Sequence, residues 1–394
     1  MKKNSALLGA AFLMATSAIG PGFLTQTTRF TADLLTSFGF IILISLFLDI
    51  GAQVNIWRIL TVTNSRAQDL ANNLFPGLGL FLACLIAFGG LVFNIGNIAG
   101  TGLGLNALTG IDIKLGAVIS CVLSLALFWF KESGKLMDFL TKLLGLFMIG
   151  LTLYIAFISS PPVGEALYRT LLPEKIDVVK IVTLVGGTVG GYISFAGAHR
   201  LLDAGIYGES SLPAVSRSAV NGIAITSLMR FILFLAVLGV VWHGAQLDPK
   251  NPAGSVFQQA AGNLGLRFFG FVMWCAAITS VIGASYTSVS FFKTLHPLIE
   301  KYQKAIISVF IILSTLIFLS AGNPVTLLIL AGAVNGLILP VALAVILVAS
   351  RKKRLMGSYL HPAWMQAAGW LVVALMSWMG YYTIIDSWGK LFQS

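Results

Sequence analysis

The sequence predicts an all-α protein that crosses a membrane many times, and three observations carry that prediction. Of its 394 residues, 57% are hydrophobic and 10% are charged, whereas soluble domains carry roughly 25% charged residues. The chain contains about eleven apolar stretches, and each approaches the ~20 residues that a helix needs to cross the hydrocarbon layer of a bilayer. Only short loops separate these stretches, so no soluble domain is expected.

Each apolar stretch is interpreted as one membrane span, with boundaries read from hydropathy and from flanking polar residues. The predicted spans are 5–28, 35–57, 76–104, 114–130, 136–158, 178–202, 219–242, 264–291, 304–321, 325–349 and 366–386.

Charge and cysteine content exclude several other classes of protein. The net charge of +11 does not indicate nucleic-acid binding, because the basic residues are spread through short loops, as membrane topology requires. Their distribution predicts a bacterial inner-membrane protein with a cytoplasmic N-terminus and an external C-terminus. Cys84, Cys121 and Cys275 fall inside apolar stretches, which argues against a disulfide framework or a metal cluster.

The first span is interrupted in its middle. "ATSAIGPGFLTQTTRF" (residues 15–30) begins as a membrane helix and then places Gly-Pro-Gly where the helix should continue. Unwound backbone at this depth is tolerated only where it is buried in protein or lines a cavity. Bonding of hydroxyls back to their own helix is the alternative use of the threonines. The predicted substrate contacts here are Gly20, Pro21, Gly22, Phe23, Thr25, Gln26 and Thr27.

The sixth span contains a second interruption. "VTLVGGTVGGYISFAGAHRLLDAG" (residues 182–205) has four glycines near its centre. Close packing of helices would also explain them. Paired interruptions in corresponding spans of two halves, however, point to a transporter's binding site at the membrane midplane. The predicted substrate contacts in this span are Gly190, Gly191, Tyr192 and Ser194.

The two interruptions lie five spans apart, which predicts a five-plus-five inverted repeat within a single transmembrane domain, 1–394. The first repeat is expected over about 5–158, the second over about 178–349, and an extra helix over about 366–386. Such a protein would alternate access by rocking one bundle against the other. The chain has no phosphate-binding P-loop, so a secondary transporter that works with lipid and a small solute, without an ATPase subunit or nucleic acid, is expected.

Four stretches resemble the NRAMP metal transporters, a family with the LeuT-type fold. No single match is specific, but their order and spacing follow the family. The stretches are "RILTVTNSRAQDLA" (58–71), "IAGTGLGLNALTGI" (98–111), "VGEALYRTLLP" (163–173) and "LILPVAL" (337–343).

The departures from the family pattern fall on its functional residues. The family's metal-binding Asp-Pro-Gly-Asn stands here as Gly20-Pro21-Gly22-Phe23, and its Met-Pro-His stands as Gly190-Gly191-Tyr192. Asn94 and Asn97 replace the acids of a presumed proton path, and they are expected to join helices. The resemblance therefore implies the family's scaffold without its metal ligands.

These replacements predict a small organic solute, a carboxylate or an amino-acid-like molecule, as the substrate. The resemblance suggests 5-oxoproline as one candidate. A magnesium or manganese transporter is the alternative, since most relatives of the family move metals. A membrane receptor or enzyme is the alternative from another class, although the chain has neither HExxH nor GxSxG.

A coupling proton or sodium ion is expected, with no other cofactor. Asp49 lies deep in the second span and is the candidate proton carrier, because ionisable residues within membranes are usually functional. An ion pair with Arg58 or Arg230 is the alternative role for Asp49. Thr279 and Ser280 are the candidate sodium ligands, by likeness to the LeuT-type fold, together with backbone carbonyls of the first span.

Overall fold

The computed structural model describes residues 7, 9–11, 14, 15, 17–130 and 133–391, and this part of the chain contains helices and no strands. Its helices are α1 (Pro21–Leu34), α2 (Phe38–Thr63), α3 (Ala67–Leu74), α4 (Leu78–Thr109), α5 (Ile113–Trp129), α6 (Ser133–Ile158), α7 (Val163–Leu171), α8 (Val178–Val189), α9 (Tyr192–Asp203), α10 (Leu212–Trp242), α11 (Pro252–Ser290), α12 (Pro297–Lys301), α13 (Gln303–Ala321), α14 (Pro324–Ala349), α15 (Lys353–Met356) and α16 (Ala363–Leu391).

The helices confirm the predicted fold class of about eleven spans. By length and apolar composition, 8 described helices can cross a membrane, or up to 9 if the bent pair α6 and α7 forms one span. That count treats α1 and α2 as one span of 43 residues and sets α5 apart as a shorter apolar helix. The predicted first span, 5–28, lies partly outside the described residues.

Polar caps start several of the helices. The Asp112 carboxylate accepts from the backbone N–H of Lys114 at 2.9 Å, and the Asp177 carboxylate accepts from that of Lys180 at 3.1 Å. Asn323 caps α14 in the same way. These side chains satisfy N–H groups that a helix leaves free in its first turn.

Two short amphipathic helices, α3 and α7, were not expected as separate elements, because the hydropathy analysis left both segments as loops. In α7, Ala166 is fully buried, while Arg169 on the exposed side pairs with Glu165 at 2.6 Å. A helix this short carries too few apolar residues to register as a span. Its pattern of one buried stripe against a charged face is the signal that could have found it.

The most extensive helix contact in the described chain joins α4 and α11. Small residues bring the two backbones together. A Cβ atom added to Gly104 would lie 2.6 Å from the backbone nitrogen of Trp274, and one added to Gly270 would lie 2.6 Å from that of Leu108. Glycine allows this approach, which supplies dispersion contacts in a setting where lipid weakens the hydrophobic effect.

The extra helix α16 is joined to α2 through a polar network. Arg58 Nη2 donates to the Tyr359 hydroxyl at 2.9 Å. That hydroxyl lies 3.3 Å from His361 Nδ1, and His361 Nε2 lies 2.7 Å from Asn55 Oδ1. Asn55 Nδ2 donates to the Met365 carbonyl at 3.0 Å. The network is satisfied when His361 is neutral, with its proton on Nε2.

We expect Gly104→Val to destabilise the α4–α11 contact, because its new atoms would meet the Trp274 backbone, which cannot move away cheaply. Overpacking of this kind costs about 1–3 kcal/mol. Thermal unfolding in detergent should show a clear decrease in melting temperature. Gly283→Ala in α11 is the control, since a Cβ there meets nothing within 4 Å. Equal melting temperatures for the wild type and Gly104→Val would contradict the proposed contact.

We expect protein stability to decrease as the pH falls from about 6.5 to about 4. Burial, with a contribution from the Arg58 charge, lowers the pKa of His361 from 6.5 to about 4. A histidine with a lowered pKa in the folded state favours unfolding in this window, because the unfolded chain binds the proton more readily. His361→Gln should reduce the pH dependence of the melting temperature. An unchanged pH dependence in His361→Gln would exclude this role for His361.

Candidate functional site

The first span is broken at Gly20, as predicted. Residue 20 has extended backbone angles, φ −111° and ψ −169°, and Pro21 begins α1. Before the break, the N–H of Ile19 still donates to the Ala15 carbonyl at 2.8 Å. Proline lacks an N–H and disfavours the helical conformation in the residue before it. The break therefore leaves carbonyls without helical partners on one side and N–H groups on the other.

The sixth span is broken at Gly190 and Gly191, also as predicted. Gly191 has φ +52°, a conformation that glycine adopts without strain, and a Cβ atom at this residue would overlap Asn335 Oδ1. Ser194 Oγ donates to the Val189 carbonyl at 2.7 Å, across the break. Ser194 thus bonds across the break, and Asn335 packs closely against Gly191.

Side chains of α4 and α11 approach Gly20 at the first break, and Tyr192 of the sixth span lies beside one of them. A Cβ atom on Gly20 would lie 3.3 Å from Ser280 Oγ and 3.7 Å from Asn97 Oδ1. The Tyr192 hydroxyl lies near the Asn97 amide, although neither group has a hydrogen-bond partner of good geometry. We call Gly20, Asn97, Tyr192 and Ser280 the break cluster. It brings together three predicted residues and one that the sequence analysis assigned to helix packing.

Several buried polar atoms around the breaks have no hydrogen-bond partner. They include the Asn97 amide, the Tyr192 hydroxyl, the hydroxyls of Thr27 and Thr28, and Asn335 Oδ1. Each buried polar group left without a partner costs about 1–3 kcal/mol. Native proteins keep few of them, and an unexplained one points to a ligand, an ion or water as its partner.

The remaining residues predicted from the first span have varied surroundings. Pro21 contacts Gly100 of α4, and Thr25 and Thr27 are buried. Gln26 Nε2 donates to the Leu328 carbonyl at 3.0 Å, so this amide joins α1 to α14. Gln26 therefore has a packing role, and its use in substrate binding stays a prediction.

The two candidate sodium ligands differ in their surroundings. Ser280 belongs to the break cluster, whereas Thr279 Oγ1 donates to the Ala276 carbonyl at 2.9 Å within its own helix. The structure brings only Ser280 beside the first break. The sequence could not separate them, because neighbouring residues of a helix point about 100° apart.

Asp49 is fully buried, and its two carboxylate oxygens have no hydrogen-bond partner. Of the two arginines considered as ion-pair partners, Arg58 bonds instead to Ser216 at 2.7 Å and to Tyr359. Arg230 is the cation whose charge acts on Asp49, but no direct contact joins the two side chains in the described chain. Asp49 thus lies in the field of a cation without closing an ion pair.

Arg230 is the residue near the breaks that the sequence analysis missed as a site residue. It lies in α10, and its side chain is 2% exposed. Nη1 donates to Thr188 Oγ1 at 2.9 Å, and the guanidinium carbon lies 4.4 Å from the centre of the Phe23 ring. A single arginine within the apolar stretch "LMRFILFL" was the available signal.

Asn94, by contrast, has the packing role expected of it. Asn94 Nδ2 donates to Ser285 Oγ at 3.1 Å and to Ser314 Oγ at 3.0 Å, which joins α4 to α11 and α13. Asn97 lies one turn further along α4 and turns toward the break instead.

In the described chain no group of three or more His, Cys, Asp and Glu side chains comes together. The break cluster supplies a hydroxyl, an amide, a phenol and backbone groups. Transition metals favour sulfur, imidazole or carboxylate ligands, which the four residues of the break cluster do not include.

A cavity of about 410 Å³ lies between the C-terminal half of α1 and the N-terminal half of α8. Phe30, Asp177, Lys180 and Thr183 are among its lining residues. Lys180 pairs with Asp177 at 2.6 Å and lies 3.4 Å from Asp33. None of the four residues of the break cluster lines this cavity.

Two relatives share most of the chain. A Bacillus subtilis protein named "Uncharacterized membrane protein YcsG" is 59% identical over 380 residues, which covers 96% of this chain and 94% of that protein. An uncharacterized membrane protein of Haemophilus influenzae is 56% identical over 384 residues and covers 98% and 97%.

A crystal structure of the Eremococcus coleocola manganese transporter has the same fold. Its TM-score is 0.76 at 16% identity, and the match covers 98% of this chain and 87% of that one. The family model for natural resistance-associated macrophage protein-like sequences matches residues 11–386. The chain therefore belongs to the Nramp family, as a multi-pass membrane transporter with the LeuT-type fold, and it is not an enzyme.

Proposed function

We propose that this Nramp-family transporter moves a small organic acid, a carboxylate or an amino-acid-like solute, by secondary active transport. The observation that carries the proposal is the chemistry of the break cluster. Gly20, Asn97, Tyr192 and Ser280 offer neutral hydrogen-bonding groups around unwound backbone. The N-terminus of α1 adds partial positive charge, which favours an anionic group.

Divalent metal transport is the alternative, and the manganese transporter with the same fold favours it. A desolvated divalent ion needs anionic or strongly donating ligands to replace its water. The break cluster has no carboxylate, imidazole, thiolate or thioether among its four residues. Burial of such an ion among these groups would be very costly, which supports the organic substrate.

A proton or sodium gradient would drive the transport. Asp49 is the proposed proton carrier, and Ser280, with carbonyls freed at the first break, is the proposed sodium ligand. The proposed setting is the bacterial inner membrane, with a cytoplasmic N-terminus and an external C-terminus, as the loop charges predict. In that orientation the cavity between α1 and α8 faces outward, and entry from that side corresponds to import.

Uptake into proteoliposomes tests the proposed function. With an imposed proton or sodium gradient, we expect saturable uptake of at least one labelled acid among 5-oxoproline, L-proline and L-glutamate. Labelled manganese should not enter above the level of protein-free vesicles, because the break cluster offers it no anionic ligand.

Gradient-driven manganese uptake without uptake of any of the acids would show that the metal site has moved rather than disappeared. Collapsing the gradient with an ionophore is the control, since facilitated leakage would survive that treatment and coupled transport would not.

We expect Ser280→Ala to identify the coupling ion. If sodium binds at the first break, the variant should raise the sodium concentration for half-maximal uptake about tenfold, the effect of losing one polar ligand. Ser320→Ala is the matched control, because that hydroxyl is exposed and bonds only within its own helix. Unchanged sodium dependence in Ser280→Ala would exclude this sodium site. Loss of proton-driven uptake in Asp49→Asn would then assign the coupling to Asp49.

A further inference from the structure

Arg230 is an unusual side chain for the interior of a membrane protein. It is among the largest fully buried side chains of the described chain. Its Nη1 has one partner, Thr188, whereas Nε and Nη2 have none. A buried charge without full hydrogen bonding is costly, and removal of its partner leaves an even larger penalty. The free nitrogens of Arg230 therefore require an explanation in the working transporter.

The contacts of the Arg230 guanidinium join the two broken spans. One face lies against the Phe23 ring, in the first turn of α1 after the Gly20 break. One nitrogen bonds to Thr188, two residues before the break at Gly190. The guanidinium thus lies where parts of both spans that surround the candidate site come together.

The geometry of the two unpartnered nitrogens of Arg230, Nε and Nη2, indicates the kind of ligand that they could bind. Nε and Nη2 lie on the same side of the planar group and form a fork whose two N–H bonds are parallel. Such a fork matches the two oxygens of a carboxylate and binds them by two charge-assisted hydrogen bonds. Lysine could not reproduce this geometry, since its ammonium is a point charge.

We propose that the Nε and Nη2 edge of Arg230 binds the carboxylate of the transported acid between the two broken spans. This inference rests on the proposed function. The same guanidinium repels a divalent cation, so one residue favours organic acids and disfavours metal ions.

A purely structural role is the competing explanation. In that case Arg230 and Asp49 would only hold α10 and α2 together by charge attraction. Their replacement would then lower stability without changing how the protein distinguishes a carboxylate from an uncharged analogue. The preference for acid over carboxamide is therefore the property that separates the two explanations.

The test is isothermal titration calorimetry on the purified full-length protein in detergent. The probes are 5-oxoproline, L-proline and L-glutamate, each compared with the matching carboxamide. We expect the wild type to bind one acid about 100-fold more tightly than its carboxamide, as the loss of a bidentate charged contact implies. Arg230→Gln should bind that acid about 100-fold more weakly and lose the preference over the carboxamide. Arg230→Lys should lose about tenfold, since it keeps the charge without the fork.

Arg217→Gln is the matched control, because Arg217 lies exposed on the same helix, α10. It should bind as the wild type does. Wild-type affinity and preference in Arg230→Gln would overturn the inference and leave the proposed function intact. Absence of saturable binding of every acid by the wild type would overturn both. If Arg230→Gln does not fold, equal wild-type affinities for acid and carboxamide, or wild-type acid affinity in Arg230→Lys, would still overturn the inference.

Discussion

The helical hydrogen bonding of two membrane spans is interrupted, at Gly20 and at Gly190–Gly191, and these two breaks constrain the residues packed around them. An unpaired backbone group in an apolar interior costs several kcal/mol, so each break must be enclosed by groups that replace the lost bonds. Ser194 does so for the Val189 carbonyl, and Asn335 packs against Gly191. The same breaks leave backbone N–H and C=O groups free, and in a transporter such groups can bind a solute.

The charge at the breaks separates this protein from the family pattern that its sequence resembles. Where that pattern has acidic, amide and sulfur ligands, this chain has Gly20, Phe23 and Gly190. Among the described residues, Asp49 and Arg230 are buried ionisable side chains that form no ion pair with each other. Phe23 stacks against Arg230; thus the ring that replaces a ligand of the family's pattern also stabilises a fixed cation.

The sequence predicted the breaks and the spans well, because both depend on local chemistry. Gly-Pro disfavours helix at residue 20, and apolar length defines a span. Gly-Gly is a weaker signal, since Gly89-Gly90 and Gly186-Gly187 both lie inside helices. The sequence could not predict that Ser280 rather than Thr279 would face Gly20, or that Asn97 would turn toward the break while Asn94 joins helices. Those outcomes depend on helix rotation and on contacts between residues far apart in the chain. The sequence shows Arg230 within an apolar stretch, but it does not show that Phe23 and Thr188 contact Arg230 in the folded protein.

The most direct measurement of the central claim is an experimental structure of the transporter with 5-oxoproline, or another acid that it transports, bound. The account predicts the ligand between the two breaks, with its carboxylate about 3 Å from Nε and Nη2 of Arg230, as charged hydrogen bonds require. Its remaining polar atoms should lie near Asn97, Tyr192 or Ser280. A ligand bound away from the two breaks, or a manganese ion coordinated at Gly20, would contradict the account.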